Sequence, residues 1–163
     1  MQRTYLLILF FFTATLNVGA WHRSSFIDSE ILATYKSSEG FSETPSSLFA
    51  VSLRCEFRER PLGIDVTNPR LSWVIQARDK NARGLKQTAY QVLVASTEEA
   101  LKKDEGDLWN SGKIMSDQMG QIVYTGKTLQ SSQQCWWKVK VWDQHQKASE
   151  WSEMTRWTMG LLR

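Results

Sequence analysis

Few residues in this chain have the type and spacing to do chemistry, and most of those patterns fail on spacing. Gly120-Gln121-Ile122-Val123-Tyr124-Thr125-Gly126-Lys127-Thr128 looks at first like a phosphate-binding loop. Such a loop needs four residues between its glycines, whereas five stand here. Those five include a β-branched run that cannot aim successive backbone N–H groups at a phosphate. Gly106 to Lys113 carries the same surplus residue and lacks the final hydroxyl. The only histidines are His22 and His145, and no Cys-x-x-Cys or His-Glu-x-x-His run accompanies them. A metal set is therefore not expected, nor is any cofactor. The Gly-x-Ser-x-Gly elbow of serine hydrolases is also missing.

Carboxylates are plentiful enough to weigh as a glycosidase pair. That chemistry needs two acids facing each other across a sugar, about 6.5–9.5 Å apart for inversion, with one pKa raised by a cleft. Asp104, Glu105 and Asp107 fall in a polar loop, and Asp143, Glu150 and Glu153 flank the final hairpin. Turn formation and solubility account for them. No catalytic residue is assigned.

Two constellations survive. Trp136 and Trp142 fall on the outward face of one strand with Lys138 and Lys140 between them, and Trp151 opens the next strand. Exposed indole rings could stack on sugar faces, seal a contact with another domain, or lie beneath the lysines as a cation–π ladder. Cys55 and Cys135 both sit at expected inward positions. In an oxidising compartment an even count invites a disulfide, and closing so long a loop would stabilise by about 4.5 kcal/mol. Against this, the two strands that carry them need not be neighbours, and a free cysteine packs well as a small core residue. The bridge stays open.

The elements that must position these residues are strands. From Val51, alternation puts Val51, Leu53, Cys55 and Phe57 on one face and Ser52, Arg54, Glu56 and Arg58 on the other. Turn chemistry at Pro61–Asp65 and Asn68-Pro69 leads to a second strand, Leu71–Ile75, with Leu71, Trp73 and Ile75 inward. Tyr90–Ala95 is apolar on both sides, as a central strand should be. Ser96-Thr97-Glu98-Glu99 reads as a capping box opening one short helix, closed by Lys102 and Lys103. Further strands are expected as a short edge near Asn110–Gly112, at Gln121–Thr125, at Cys135–Trp142 with Cys135, Trp137, Val139 and Val141 inward, and near Met154–Met159. About seven strands spaced by turns predict an all-β sandwich. Trp73 in the second strand, rather than a later one, favours a fibronectin type III-like variant of the immunoglobulin-like fold.

Composition narrows the classes. Of 163 residues, 42% are hydrophobic and 23% charged, which excludes a disordered or fibrous chain for most of the length. Net charge is +3 with the signs interspersed, so no block exists to neutralise phosphates and nucleic acid is not an expected partner. Residues 1–20 read as a signal peptide: Arg3, an apolar run over Leu6–Phe12, and Val18 and Ala20 at the cleavage positions. Thr13, Thr15 and Asn17 break that run too early for a membrane span. Export to the periplasm or cell exterior follows, with no span left after cleavage. Residues 21–50, rich in Ser, Glu and Gly, read as a flexible linker, and residues 51–163 as the sandwich domain.

At this level the motifs resemble those of bacterial α-L-rhamnosidases. The resemblance lies in Leu53–Asp65 followed by Asn68-Pro69-Arg70-Leu71-Ser72-Trp73, in Gln87–Ser96, in Gly106–Lys113, in Trp137–Asp143, and in the closing Trp151-Ser152-Glu153 and Met159–Leu162. Together, in order, they cover nearly everything from Leu53 onward. The resemblance implies the fibronectin type III-like N-terminal domain of a large secreted inverting glycosidase whose catalytic acids lie in a helical barrel downstream, outside these motifs. It implies a non-catalytic accessory role and downstream catalytic domains as partners, with a rhamnose-containing glycan as the substrate class of the parent enzyme. Cys135 stands where such domains more often carry an aromatic. The alternative is a free-standing carbohydrate-binding or surface-adhesion module.

Overall fold

The computed structural model describes residues 46–162. The expected signal peptide and residues 21–45 of the expected linker lie outside them. In chain order the elements are β1 (Leu48–Cys55), β2 (Arg70–Ala77), β3 (Ala89–Ala95), α1 (Glu98–Lys102), β4 (Trp109–Asn110), β5 (Ile122–Val123), β6 (Gln134–Trp142) and β7 (Thr155–Thr158). They form two antiparallel sheets, one ordered β1-β2-β5 and the other β4-β3-β6-β7. This is the expected immunoglobulin-like β-sandwich, nearly all strand, in the three-plus-four arrangement of its fibronectin type III-like variant.

Period-two patterning builds the core. Leu71 and Trp73 from one sheet meet Val92, Val94, Cys135, Trp137, Val139 and Val141 from the other, all buried. Edge-to-face rings knit this core: Trp73 on Tyr90 at 5.1 Å, and a chain from Trp109 to Tyr124, Trp157 and Trp137 at 5.4, 6.2 and 6.4 Å. The two polar atoms that Trp73 and Tyr124 bring inside are satisfied. Trp73 Nε1 donates to Gln87 Oε1 at 3.0 Å, and the Tyr124 hydroxyl donates to Lys127 O at 2.7 Å.

β1 departs from the expected strand at both ends. It begins at Leu48, with Leu48 and Ala50 buried, three residues inside the stretch expected as linker. Its pairing with β2 gains one residue between Val51 and Arg54, a bulge at Ser52, whose φ is 51°. The bulge switches the inward set from Leu48 and Ala50 to Leu53 and Cys55, so Val51 faces outward rather than inward. Phe57 is not a core residue but 59% exposed, because Glu56 and Phe57 both adopt left-handed φ (47° and 64°) and reverse the chain. The Arg70 guanidinium covers its ring at 5.1 Å.

The helix cap is shifted by one residue from the expected box. Thr97, not Ser96, is the N-cap, accepting from Ala100 N at 3.2 Å. The Ser96 hydroxyl instead donates to Asp107 at 2.7 Å.

Candidate functional site

The outward face of the four-stranded sheet is where the three singled-out tryptophans should lie bare. It is largely covered. β3 is apolar on both faces, so its outer side needs a lid, and α1, which follows it directly, supplies one. Leu101 packs with Leu93 and Ala95 as a second small core, against which Trp136, Trp151 and Met154 rest half-buried. Lys138, expected in solvent, is 4% exposed. Its ammonium donates to Leu101 O at 2.6 Å and pairs with the Asp104 carboxylate, so one lysine closes the negative end of the helix and ties it to β6. The bond from Lys138 holds the Asp104 carboxyl below its ordinary value, against a smaller opposing effect of burial. Trp151 Nε1 is buried without a well-formed hydrogen bond, yet close enough to Asp104 to help lower it.

Every one of the three rings carries a cation from its own chain. Trp151 has Lys138 Nζ at 5.0 Å and Lys140 Nζ at 4.4 Å from its centroid. Arg156 stands 5.3 Å from the Trp136 ring and Lys113 stands 4.7 Å from Trp142. The expected cation–π ladder at Trp151 is thus present. Trp136 and Trp151 share a shallow depression of about 540 Å³ with Glu98, Lys102 and Met154. Trp142 does not join them; six strand positions separate it from Trp136, roughly 20 Å.

A second groove, of about 570 Å³, runs between β1 and the segment leading into β7, lined by Phe49, Val51, Leu53, Arg78, Trp151 and Met154 among others. Arg78 spans its rim, with its guanidinium 5.8 Å from the Phe49 ring, Nε donating to Ser46 O at 3.1 Å, and a 3.5 Å pair to Glu150.

The acids have structural employment. Asp143, read from sequence as a turn residue, is 1% exposed. Its carboxylate accepts from the Ser46 hydroxyl (3.1 Å), Ser47 N (3.2 Å), His145 N (2.9 Å) and Lys147 N (3.1 Å), locking the start of β1 to the β6–β7 hairpin. Burial pushes its pKa up, but these bonds together outweigh burial and hold it below the ordinary 3.8. Local sequence does carry half of this signal, an Asp at a strand end followed by a turn; Ser46 and Ser47, nearly a hundred residues earlier, could not be paired with it by inspection. Glu56, bonded by Arg70, is likewise lowered. Thus every described carboxylate with a displaced pKa is displaced downward. Among the described residues no group of three or more His, Cys, Asp or Glu converges as a metal set.

Cys55 and Cys135 are both buried free thiols. Burial pushes each to about 12. They face the same core from opposite sheets, and the charge of Cys135 adds to the rise at Cys55.

Comparison with known proteins places this geometry. The family described as "Rha78A-like, N-terminal immunoglobulin domain" matches residues 50–163. An α-L-rhamnosidase of Streptomyces avermitilis is 41% identical over 117 residues, covering 72% of this chain and 11% of that protein. One from Formosa agariphila is 39% identical over 105 residues, covering 64% and 11%. The solved α-L-rhamnosidase from Dictyoglumus thermophilum superposes with a TM-score of 0.64 at 39% identity, covering 69% of this chain and 12% of that one. The chain therefore spans about a tenth of the length of these relatives. With its two-sheet architecture and a match over most of its length, the chain belongs to the Rha78A-like N-terminal immunoglobulin domain family.

Proposed function

We propose that this chain is a non-catalytic accessory domain of an exported α-L-rhamnosidase-type glycoside hydrolase, and that it packs against the catalytic domains downstream. One observation carries the non-catalytic reading: the chain matches an N-terminal immunoglobulin domain that makes up about a tenth of the length of its α-L-rhamnosidase relatives. A glycosidase acid must hold its proton near neutrality through a raised pKa. Here the displaced carboxylates Glu56, Asp104 and Asp143 all move the other way, each committed to a hydrogen bond or ion pair within the fold. Residues 1–20 direct export to the periplasm or exterior, and no helix among the described residues is long and apolar enough to cross a membrane.

The alternative, a carbohydrate-binding or adhesion module, is favoured by the depression shared by Trp136 and Trp151. Stacking a sugar on either ring requires displacing or sharing the cation already beside it, which makes this the weaker reading. Titrating intrinsic tryptophan fluorescence with rhamnose-containing oligosaccharides separates the two. No saturable change is expected, whereas a saturating change abolished by Trp136→Ala would establish the binding module instead.

A further inference from the structure

We infer that one end of the sandwich binds acidic sugar units, bearing carboxylate or sulfate, through Lys113 and Trp142 and the basic loops around them. This goes beyond the accessory role and does not depend on it.

The topology gathers what the sequence scatters. Three segments meet at the end where β1 begins: the β2–β3 loop (78–88), the stretch 113–117 and the β6–β7 hairpin (143–150). Their contacts tie them into one surface. Arg78 N donates to Ser47 O at 2.9 Å, and Lys86 N donates to Gln144 Oε1 at 3.2 Å. The Thr88 hydroxyl donates to Asp143 O at 2.7 Å and accepts from Gln146 Nε2 at 3.1 Å. Lys113 Nζ donates to Gln146 Oε1 at 3.2 Å.

Positive charge collects there. The three segments hold six cations, Arg78, Lys80, Arg83, Lys86, Lys113 and Lys147, all exposed, against Asp79, Asp117, Asp143 and Glu150. The other described residues nearly balance, with ten cations and nine acids. Asp143 is moreover turned into the fold by the bonds that pin β1. Lys86 faces Asp117 at 3.4 Å and Arg78 faces Glu150 at 3.5 Å. Lys80, Arg83 and Lys113 have no carboxylate partner among the described residues.

The ring decides the ligand. Trp142 is half-buried on the outer face of β6, with Lys113 Nζ 4.7 Å from its centroid. To a neutral sugar that ammonium is an obstacle. An acidic one supplies the counter-ion Lys113 lacks, while the indole meets the C–H face of the pyranose. Gln144 and Gln146, exposed on the hairpin that follows, are amides suited to sugar hydroxyls. Lys113 and Gln146 already hold each other, so ordering them on binding costs little. Lys140, two positions before Trp142 and roughly 7 Å along the strand, continues the basic track towards Trp151. A single-stranded nucleic acid is less well matched, because it stacks on successive rings and this end presents one.

The test is calorimetric titration of the purified chain at low ionic strength. The probes are an oligogalacturonate, a sulfated galactan oligomer, a neutral galactan oligomer and a single-stranded oligonucleotide of equal charge. At least one acidic glycan should saturate, with affinity falling as salt is added, and the neutral oligomer should give no binding. Which acidic glycan binds tells carboxylate from sulfate recognition. Lys113→Gln and Trp142→Leu should each weaken binding by about fivefold or more. Lys127→Gln, the same charge change at an exposed position outside these segments, should leave it unchanged. Should Trp142→Leu fail to melt cooperatively, Gln146→Ala at an exposed side chain takes its place with the same expected loss. No saturable binding of either acidic glycan overturns the inference. So does equal weakening by Lys127→Gln, or an oligonucleotide that binds as tightly as the glycan.

Discussion

Trp73 shows how much one side chain carries. Its ring is 4% exposed, stands edge-on to Tyr90, and satisfies its N–H on Gln87. Trp73→Ala should cost about 3–5 kcal/mol in a denaturant melt, combining lost burial with a cavity that a two-sheet core cannot close. A loss under about 1 kcal/mol would mean the core is elsewhere. Asp143 gives a pH signature. Its folded pKa is below 3.8, so its contribution is complete above that value and is lost as pH falls through the lower folded one. Asp143→Asn should lose about 1–3 kcal/mol at neutral pH, and the gap between variant and wild type should narrow as the pH falls below 3.8 in parallel melts. The thiols make a third case. With both pushed to about 12, native protein at neutral pH should not react with a thiol reagent, and two thiols should appear on unfolding without reductant. None appearing would mean the two are bridged. Trp73 was legible because alternation points it inward and nothing else buries an indole there. Lys138 and Asp143 were not: each is buried by a partner far away in sequence, and alternation alone puts a charged residue in water.

Strands and turns set where those residues end up. β6 could be read almost to the residue, since Cys135, Trp137, Val139 and Val141 repeat every second position with no bulge to interrupt them. β1 could not, because a bulge at Ser52 and two left-handed residues at its end leave no mark on hydrophobicity; only backbone geometry turns Phe57 away from the core. β4 and β5 are two residues each, shorter than any periodicity can register. Their placement depends on close backbone approach at Gly126, where a Cβ would collide with Leu108 O and come within 2.6 Å of the Tyr124 hydroxyl. Gly126→Ala should accordingly destabilise by about 1–3 kcal/mol, read as a lower melting temperature. Thr97→Ala removes the side-chain N-cap of α1 and should cost about 1 kcal/mol, with Lys138 and Leu101 keeping the helix in place.

At the scale of the molecule, the sandwich spends its aromatic and charged residues on holding itself together. Three indoles face cations from the same chain, the buried lysine fastens the helix, and the buried aspartate fastens the first strand. Sequence motifs spread from Leu53 to Leu162 were enough to suggest the family because they are turn and core residues specific to this sandwich. The site was less legible, since whether Trp136 and Trp142 lie bare depends on the helix and Arg156 beside the first and on Lys113 beside the second, which alternation cannot place. What remains at the surface includes scattered exposed apolar side chains, among them Leu62, Leu161, Met115 and Phe57, and two shallow grooves. The most direct test is to incubate the purified chain with an aryl α-L-rhamnoside across the acid and neutral range. No aryl alcohol should be released above the buffer rate, and release that scales with the concentration of this chain alone would contradict the account.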